Sequence, residues 1–455
     1  MRRRSRLLRG VWLIAGTLLL LSERGAAQVT FKKIVDTATA IPGGSGTFEA
    51  LPANPCISGS DLAFAGTGMS GQAGVYAVMN NMLAVVADTN TPLPGGIDPF
   101  AFTAGFPNPS CSGDNVIFKG LGSGIQQGIY ALISGSLEVV ADTHTAIPDG
   151  TGNFVSYPGS PIFPGSPIYP GQPVISGNDA VFLGMGTGGQ EGVYSRMNGM
   201  LEVIADLNTP VPGQAENFTG FPGDASISGS DVAFVGMGAG GLEGVYSLMN
   251  NMLEVVADTT TAIPGGSGLF TFAAGLPIPM ASGDNVVFKG SGTGGQQGIY
   301  LLMNGSLEVI ADLNTAYPST PIFPSTPVHL FTGFPGAASI SGSNVAFLGQ
   351  GSGGQMGIFV RFGGALLKVI DLSDMLDGKM LSALRLGRGG LSGNQVAFGA
   401  TFTDGSEGIF VATISAVRAQ APMLSWQAML VLTAALGMVG ILKLMRQRGR
   451  RVQRA

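Results

Sequence analysis

Two histidines, His144 and His329, are all that 455 residues offer for imidazole chemistry. Zinc catalysis needs several neighbouring ligands, and a Ser-His-Asp triad needs a histidine beside its nucleophile. One histidine in each of two separated stretches gives little basis for either. Carboxylates are more numerous. Asp98, Asp149, Glu216, Asp374 and Asp377 recur in no other copy of the pattern described below. A pair of such groups could act as acid and base on a glycosidic bond, and solvated surface charge is the plainer role for each. Asp36, Asp88, Asp142, Asp206, Asp258, Asp312 and Asp371 each end an apolar run. Calcium takes six to eight oxygen ligands, but equivalent positions spread round an array cannot share one ion. Each is therefore read as a cap on the turn that follows it. The segments "GTGGQEG" and "GMGAGG" have nucleotide-loop spacing but lead into a strand, whereas a phosphate loop must open a helix. They are hairpin loops. No metal or other cofactor is expected.

Two Pro-rich inserts depart most from the pattern. "SYPGSPIFPGSPIYPGQP" (156–173) and "YPSTPIFPSTPVHLF" (317–331) carry Tyr157, Phe163, Tyr169, Tyr317, Phe323 and Phe331. Such segments favour extended backbone, and stiff aromatic arms could stack on sugar rings or hold a peptide at little ordering cost. These six aromatics are the candidate ligand-binding residues; linkers packed on the main body are the simpler reading. Cys56 and Cys111, the only cysteines, are a candidate disulfide. They precede Gly59 and Gly113 by three and two residues, and this one-residue offset leaves the pairing open.

What must position these residues is a sevenfold repeat. Besides the seven aspartates, Ser-Gly-x-x-φ-φ-Phe (φ apolar) ends at Phe64, Phe118, Phe182, Phe234, Phe288, Phe347 and Phe398. A third signature, Gly-[Val/Ile]-[Tyr/Phe], ends at Tyr76, Tyr130, Tyr194, Tyr246, Tyr300, Phe359 and Phe410. The copies lie 51 to 64 residues apart, the period of an array or a propeller, and an offset of 170 relates the first three units to the next three. Each unit reads as four strands, the last two joined by Asn-Asn, Asn-Gly, Ser-Gly or Gly-Gly, residues that tolerate the positive φ of tight hairpins. The seventh unit lacks a fourth strand, while "FKKIVDT" at the N-terminus is a fourth strand without a unit. A closed ring resolves both. Alternation of the strands puts the Gly-rich loops and both inserts on one face, opposite the tight turns.

The two ends supply an address. Arg2, Arg3, Arg4, Arg6 and Arg9 precede an apolar run at 11–21 and the small residues Gly25, Ala26 and Ala27, the order of a secretory signal. Residues 423–442 are apolar over a bilayer-spanning length and are followed by six basic residues, which puts the C-terminus in the cytoplasm. The stretch from 28 to 420 holds 11 basic against 27 acidic residues, a formal charge of −16, and is no partner for nucleic acid.

Gly-x-x-x-Ala-Phe occurs at 59–64, 229–234, 342–347 and 393–398, with Ile or Val for Ala in the other three units. In this the chain resembles bacterial tandem-repeat proteins known by an NxxGxxxAF motif and a choice of anchor, over about 385 residues. Cys56, Val174 and Ser226 are among the residues at the place of that motif's Asn. Ala421-Pro422-Met423-Leu424-Ser425-Trp426, before the apolar span, resembles the PEP-CTERM/IPTL-CTERM class of sorting signals. These resemblances imply export and anchoring and confer no activity or site residue. The expectation is an all-β chain: a signal peptide at 1–27, a seven-bladed β-propeller at 28–416 closed by its N-terminal strand, and a linker, one transmembrane helix and a basic tail at 417–455. It would act at the cell surface as a binding or structural module for a glycan or an envelope protein. The alternative is a secreted hydrolase or lyase acting on polysaccharide.

Overall fold

The computed structural model describes residues 28–96, 98–102, 108–122, 126–156, 172–272, 277–318 and 329–415. Residues Val29–Thr413 form one compact unit. The leader and the C-terminal span lie outside the described residues, among which no helix is long and apolar enough to cross a membrane.

Seven antiparallel sheets follow one another along the chain, one per repeat. In the fourth blade the strands are Ala225–Ser228, Asp231–Met237, Glu243–Met249 and Met252–Asp258, from the inside outwards. Phe234 opposes Tyr246 and Gly236 opposes Gly244 across the middle pair. The outer turn takes Asn250 and Asn251 at φ of 50° and 61°, the primed geometry whose twist matches the flanking strands. Asp231, just beyond the Ser-Gly turn, accepts a hydrogen bond from the Asn250 amide and holds the two turns together. The aspartate caps are confirmed. Asp258 Oδ1 accepts from the Thr260 amide and the Thr261 hydroxyl, and the Asp258 amide donates back to Thr261 Oγ1. In blade six Asp374 replaces that threonine, and Lys368 bridges the two carboxylates at 3.2 and 3.0 Å.

An aromatic triad fills each of the first six blades. Phe218 meets Tyr246 edge-on at 4.9 Å between centroids and lies 5.8 Å from Phe234. Phe48, Phe100, Phe154, Phe270 and Phe331 take the place of Phe218 in the other five. Gly236 makes room for it, since a Cβ there would sit 2.5 Å from the Phe218 ring; the opposed Gly244 instead lets the outer strand approach, and a Cβ there would sit 2.7 Å from the Ala257 carbonyl oxygen.

Neighbouring blades are joined by their Ser-Gly turns. The Gly113 amide donates to Ser58 Oγ, Gly177 to Ser112, Gly229 to Ser176, Gly283 to Ser228, Gly342 to Ser282 and Gly393 to Ser341. Gly59 then donates to Ser392 at 2.9 Å, and the circle closes. The N-terminal strand Gln28–Asp36 pairs with Glu407–Ser415 and completes the seventh sheet. Three further contacts lock the seam. The Leu51 amide donates to Glu407 at 2.7 Å, Arg385 donates to the Leu51 carbonyl at 2.6 Å, and Lys33 bridges to Asp377 at 2.8 Å. Cys56 and Cys111 form a disulfide between the inner strands of blades one and two, with Cα atoms 5.9 Å apart. The one-residue offset is absorbed because adjacent inner strands belong to different sheets, rotated against each other, so equal ladder positions need not face.

Deleting residues 28–36 strips the seventh sheet of its outer strand and leaves the edge of Glu407–Ser415 unpaired, and exposed edges associate. The truncated protein should form oligomers in light scattering and melt earlier; a monomer with unchanged melting would contradict closure. A Cys56→Ala/Cys111→Ala variant opens a crosslink spanning 55 residues. It should lose about 2–4 kcal/mol in denaturant unfolding and stay monomeric.

Candidate functional site

The inner strands begin on the face that carries the Gly-rich loops, and their first residues converge on the axis. In blade seven this strand, Lys379–Ser392, bulges between Leu386 and Leu391, at Gly387-Arg388-Gly389-Gly390. Glycine is required beside the arginine: a Cβ on Gly387 would come within 2.8 Å of the Pro55 carbonyl oxygen. The bulge aims Arg388 across the channel. Its Nη1 lies 3.1 Å from Asp224 Oδ2, and its guanidinium donates to the carbonyls of Gln172 and Ala225. Asp224 Oδ1 in turn accepts from the Gln172 amide at 2.9 Å. One side chain of blade seven is thereby tied to blades three and four, with only 12% of it exposed and 9% of Asp224. Burial pushes the Lys119 amine down to about 8, with Asp224 opposing the shift and Arg388 reinforcing it. Its counterpart Lys289, 170 residues on, is also lowered by burial.

A cavity of about 50 Å³ is left beside this pair, lined by Asn54, Asn108, Gln172, Met280 and Arg388 among others. It has room for a water molecule but not for a substrate, and the buried Gln172 Oε1 faces no protein donor among the described residues. Asp224, the carboxylate on the axis, is committed to Arg388. Among the described residues no three His, Cys, Asp or Glu side chains gather as a metal site.

Farther out on the same face, each Gly-rich loop is followed by a residue that fills a corner of its blade. Gln72 donates to the Pro42 carbonyl at 3.1 Å and to Asp88 at 3.2 Å; Gln126 donates to Asp142 at 3.0 Å, and Gln296 to the Ser267 carbonyl at 3.1 Å. Blade four has Leu242 here. Its corner is open: a concavity of about 250 Å³ lined by Val211, Gln214, Glu216, Leu242, Thr259 and Thr260 with the loop backbone.

Of the six aromatics expected to bind a ligand, Tyr317 and Phe331 must be reassigned. Both are buried core residues, 5% and 1% exposed. Phe331 is the triad member of blade six, and Tyr317 packs edge-on against Phe359 at 4.7 Å, taking the place of Ile263 in blade five. Burial leaves them no face to offer. Tyr157, Phe163, Tyr169 and Phe323 lie outside the described residues. His144 and His329 sit apart, one 3.5 Å from Asp142, the other hydrogen-bonded to Ser352 at 2.8 Å. Asp374 and Asp377 serve the structural bridges above, and Glu216 lines the open corner. Sequence reasoning missed Arg388, Asp224 and Leu242. The signal for Leu242 was legible, as one of two breaks, with Ser406, in a column of Gln72, Gln126, Gln190, Gln296 and Gln355, and the only apolar one.

A family of unknown function, DUF7453, matches residues 23–313. No curated protein matches the chain. Among solved structures, a puromycin-hydrolyzing peptidase of Mycobacterium tuberculosis is similar at 12% identity and a TM-score of 0.33, over 83% of this chain and 61% of that one. TolB from Acinetobacter baumannii is similar at 12% and 0.30, over 66% and 60%. The chain thus spans about 60% of the length of these two. A lectin of Aleuria aurantia, in complex with Fucalpha1-6GlcNAc, is similar at 10% and 0.35, over 70% and 94%. At such scores these likenesses carry no information on activity or ligand.

The axial cluster is testable by titration. The folded value of Lys119, about 8, lies below the ordinary 10.5. The unfolded chain therefore binds more protons between them, and this group makes stability rise as pH climbs from about 8 to about 10.5. Asp224→Asn removes the charge that holds the amine up. Lysine side-chain NMR should show its midpoint falling, and unfolding should show a loss of about 3 kcal/mol as Arg388 is left buried without its counter-ion.

Proposed function

As the chain belongs to this family of unknown function, its role has to come from its own residues, and we propose that it is a secreted, membrane-anchored binding module displayed at the bacterial cell surface. One observation carries the reading. Arg388 crosses the axis, while the Gly-rich loops and the open corner of blade four crowd one face. A propeller built this way presents a surface and not a reaction chamber.

Export is supported by the leader pattern and by the disulfide, since such bonds persist in oxidising compartments. Anchoring is supported by the apolar length of 423–442 and the basic tail behind it. The resemblance to choice-of-anchor repeat proteins points the same way. The acidic body suits an exposed, soluble head held off the membrane, because it is repelled by an anionic surface.

Protease added to intact spheroplasts should digest the propeller and spare a basic C-terminal fragment. Mass-shift alkylation of the intact chain should find Cys56 and Cys111 blocked until a reductant is added. Full-length protein in the cytosol with both thiols free would refute the address.

A further inference from the structure

The offset of 170 residues makes blade one an internal control for blade four. Their corner backbones match: Ile41 N to Gly46 O and Val211 N to Glu216 O span 3.1 and 3.0 Å, and Gly68 N to Gln72 O and Gly238 N to Leu242 O both span 2.8 Å. On that shared frame the side chains differ. In blade one Met69 and Gln72 rise from the loop and lie over Gly44 and Gly46. A Cβ on Gly44 would fall inside Gln72, and one on Gly46 would lie 3.0 Å from Met69 Sδ. In blade four the bulk is exchanged. The loop carries Ala239 and Leu242, and the facing segment carries Gln214 and Glu216. Thr260 also replaces Asn90, whose counterparts Asn208 and Asn314 fold back onto their aspartates at 2.9 and 3.3 Å. Coordinated substitutions have emptied one corner while its frame was kept.

The lining states what it can hold. Val211 and Leu242 are buried and form an apolar floor, and Gln214, Glu216 and Thr260 stand exposed around it. Thr260 Oγ1 spends its proton on Asp258 at 2.7 Å, so it offers the ligand lone pairs only. Glu216 is acceptor-only as well, and Gln214 both donates and accepts. One carboxylate is too few for calcium, which takes six to eight oxygens, and it repels anions. The complement is a neutral molecule with several hydroxyl donors on one edge and a C–H face for the floor. At about 250 Å³ the corner falls just short of the ~300 Å³ at which drug-sized pockets begin, which suits one sugar ring.

We propose that the open corner of blade four, between Gln214–Glu216 and Ala239–Leu242, is a binding site for a single neutral pyranose unit. This rests on the binding-module reading and names the ligand class and the place. The probes are the methyl glycosides of glucose, galactose, mannose and fucose, with methyl glucuronide as a charged counterpart, followed by saturation-transfer NMR on the whole propeller. At least one neutral glycoside should bind, and the glucuronide should bind at least fivefold more weakly than methyl glucoside. The fourfold variant Gln214→Gly, Glu216→Gly, Ala239→Met, Leu242→Gln rebuilds the corner of blade one on a backbone that already accepts it. It should keep the parent's near-UV spectrum and lose at least tenfold in affinity. Glu216→Gln should preserve the corner and narrow the discrimination against glucuronide. No transfer to any neutral glycoside overturns the sugar class. Equal binding by parent and fourfold variant overturns the site and leaves the binding-module reading standing, whereas a cytosolic address would sink that reading without touching the titration.

Discussion

A propeller blade cannot bury its own faces, so the contact between blades decides whether the fold exists. Here the apolar faces of neighbouring blades pack together, as Val181 and Leu183 do with Ala225 and Phe234, and one hydrogen bond repeated seven times sets their register, from the glycine amide of a Ser-Gly turn to the serine hydroxyl of the blade before it. The donor belongs to a glycine at positive φ, between 55° and 62° in every copy, and no atom lies within 4 Å of where a Cβ would stand. The left-handed turn aims the amide at the neighbour. A residue with a side chain would resist that turn, and a residue without a hydroxyl could not answer it. Each bond is a modest contribution, about 1 kcal/mol, yet together they fix the pitch between blades.

Within a blade the same logic of close approach continues. Glycines 236 and 244 face each other across the second and third strands, the first so that the Phe218 ring can lie against the sheet and the second so that the outer strand can close in at Ala257 and Asp258. The aromatic triad then spans the blade, and its ring contacts hold the outer hairpin, which alone would be marginal in water. The outer strand ends at an aspartate that turns the chain back towards the next blade. The glycine-rich composition is therefore the consequence of packing seven sheets tightly.

The seventh blade bears the exceptions. It must accept a strand from the other end of the chain, and its inner strand carries the arginine that crosses the axis. Arg388 reaches carbonyls and a carboxylate on the far side of the ring, so it braces the circle across its diameter as the Ser-Gly bonds brace it along the circumference. A braced, filled axis moves any recognition outward, to the loop-bearing face, where the blades are free to diverge. The duplication supplies the evidence for divergence: corners with one backbone, filled in blade one and open in blade four.

Much of this was legible in the residues. The period, the seven aspartate caps, the tight Asn and Gly turns and the spare N-terminal strand all follow from local chemistry, because turn type and strand alternation depend on residues a few positions apart. The third aromatic of each triad is not legible in the residues, so nothing there separates Phe331, or Tyr317 packed beside it, from the other candidate ligand-binding aromatics. A proline-rich insert looks like a decoration until the sheet it enters shows which of its ends are core. The Cys56–Cys111 bond, the reach of Arg388 to Asp224 and the open corner at Leu242 were likewise decided only in three dimensions. Each depends on how far one blade is rotated against another and which side chain reaches the shared space first. Local residue chemistry sets what each blade is. The angle between blades, set by packing of residues some 50 to 160 positions apart, determined what the ring encloses and what it leaves open.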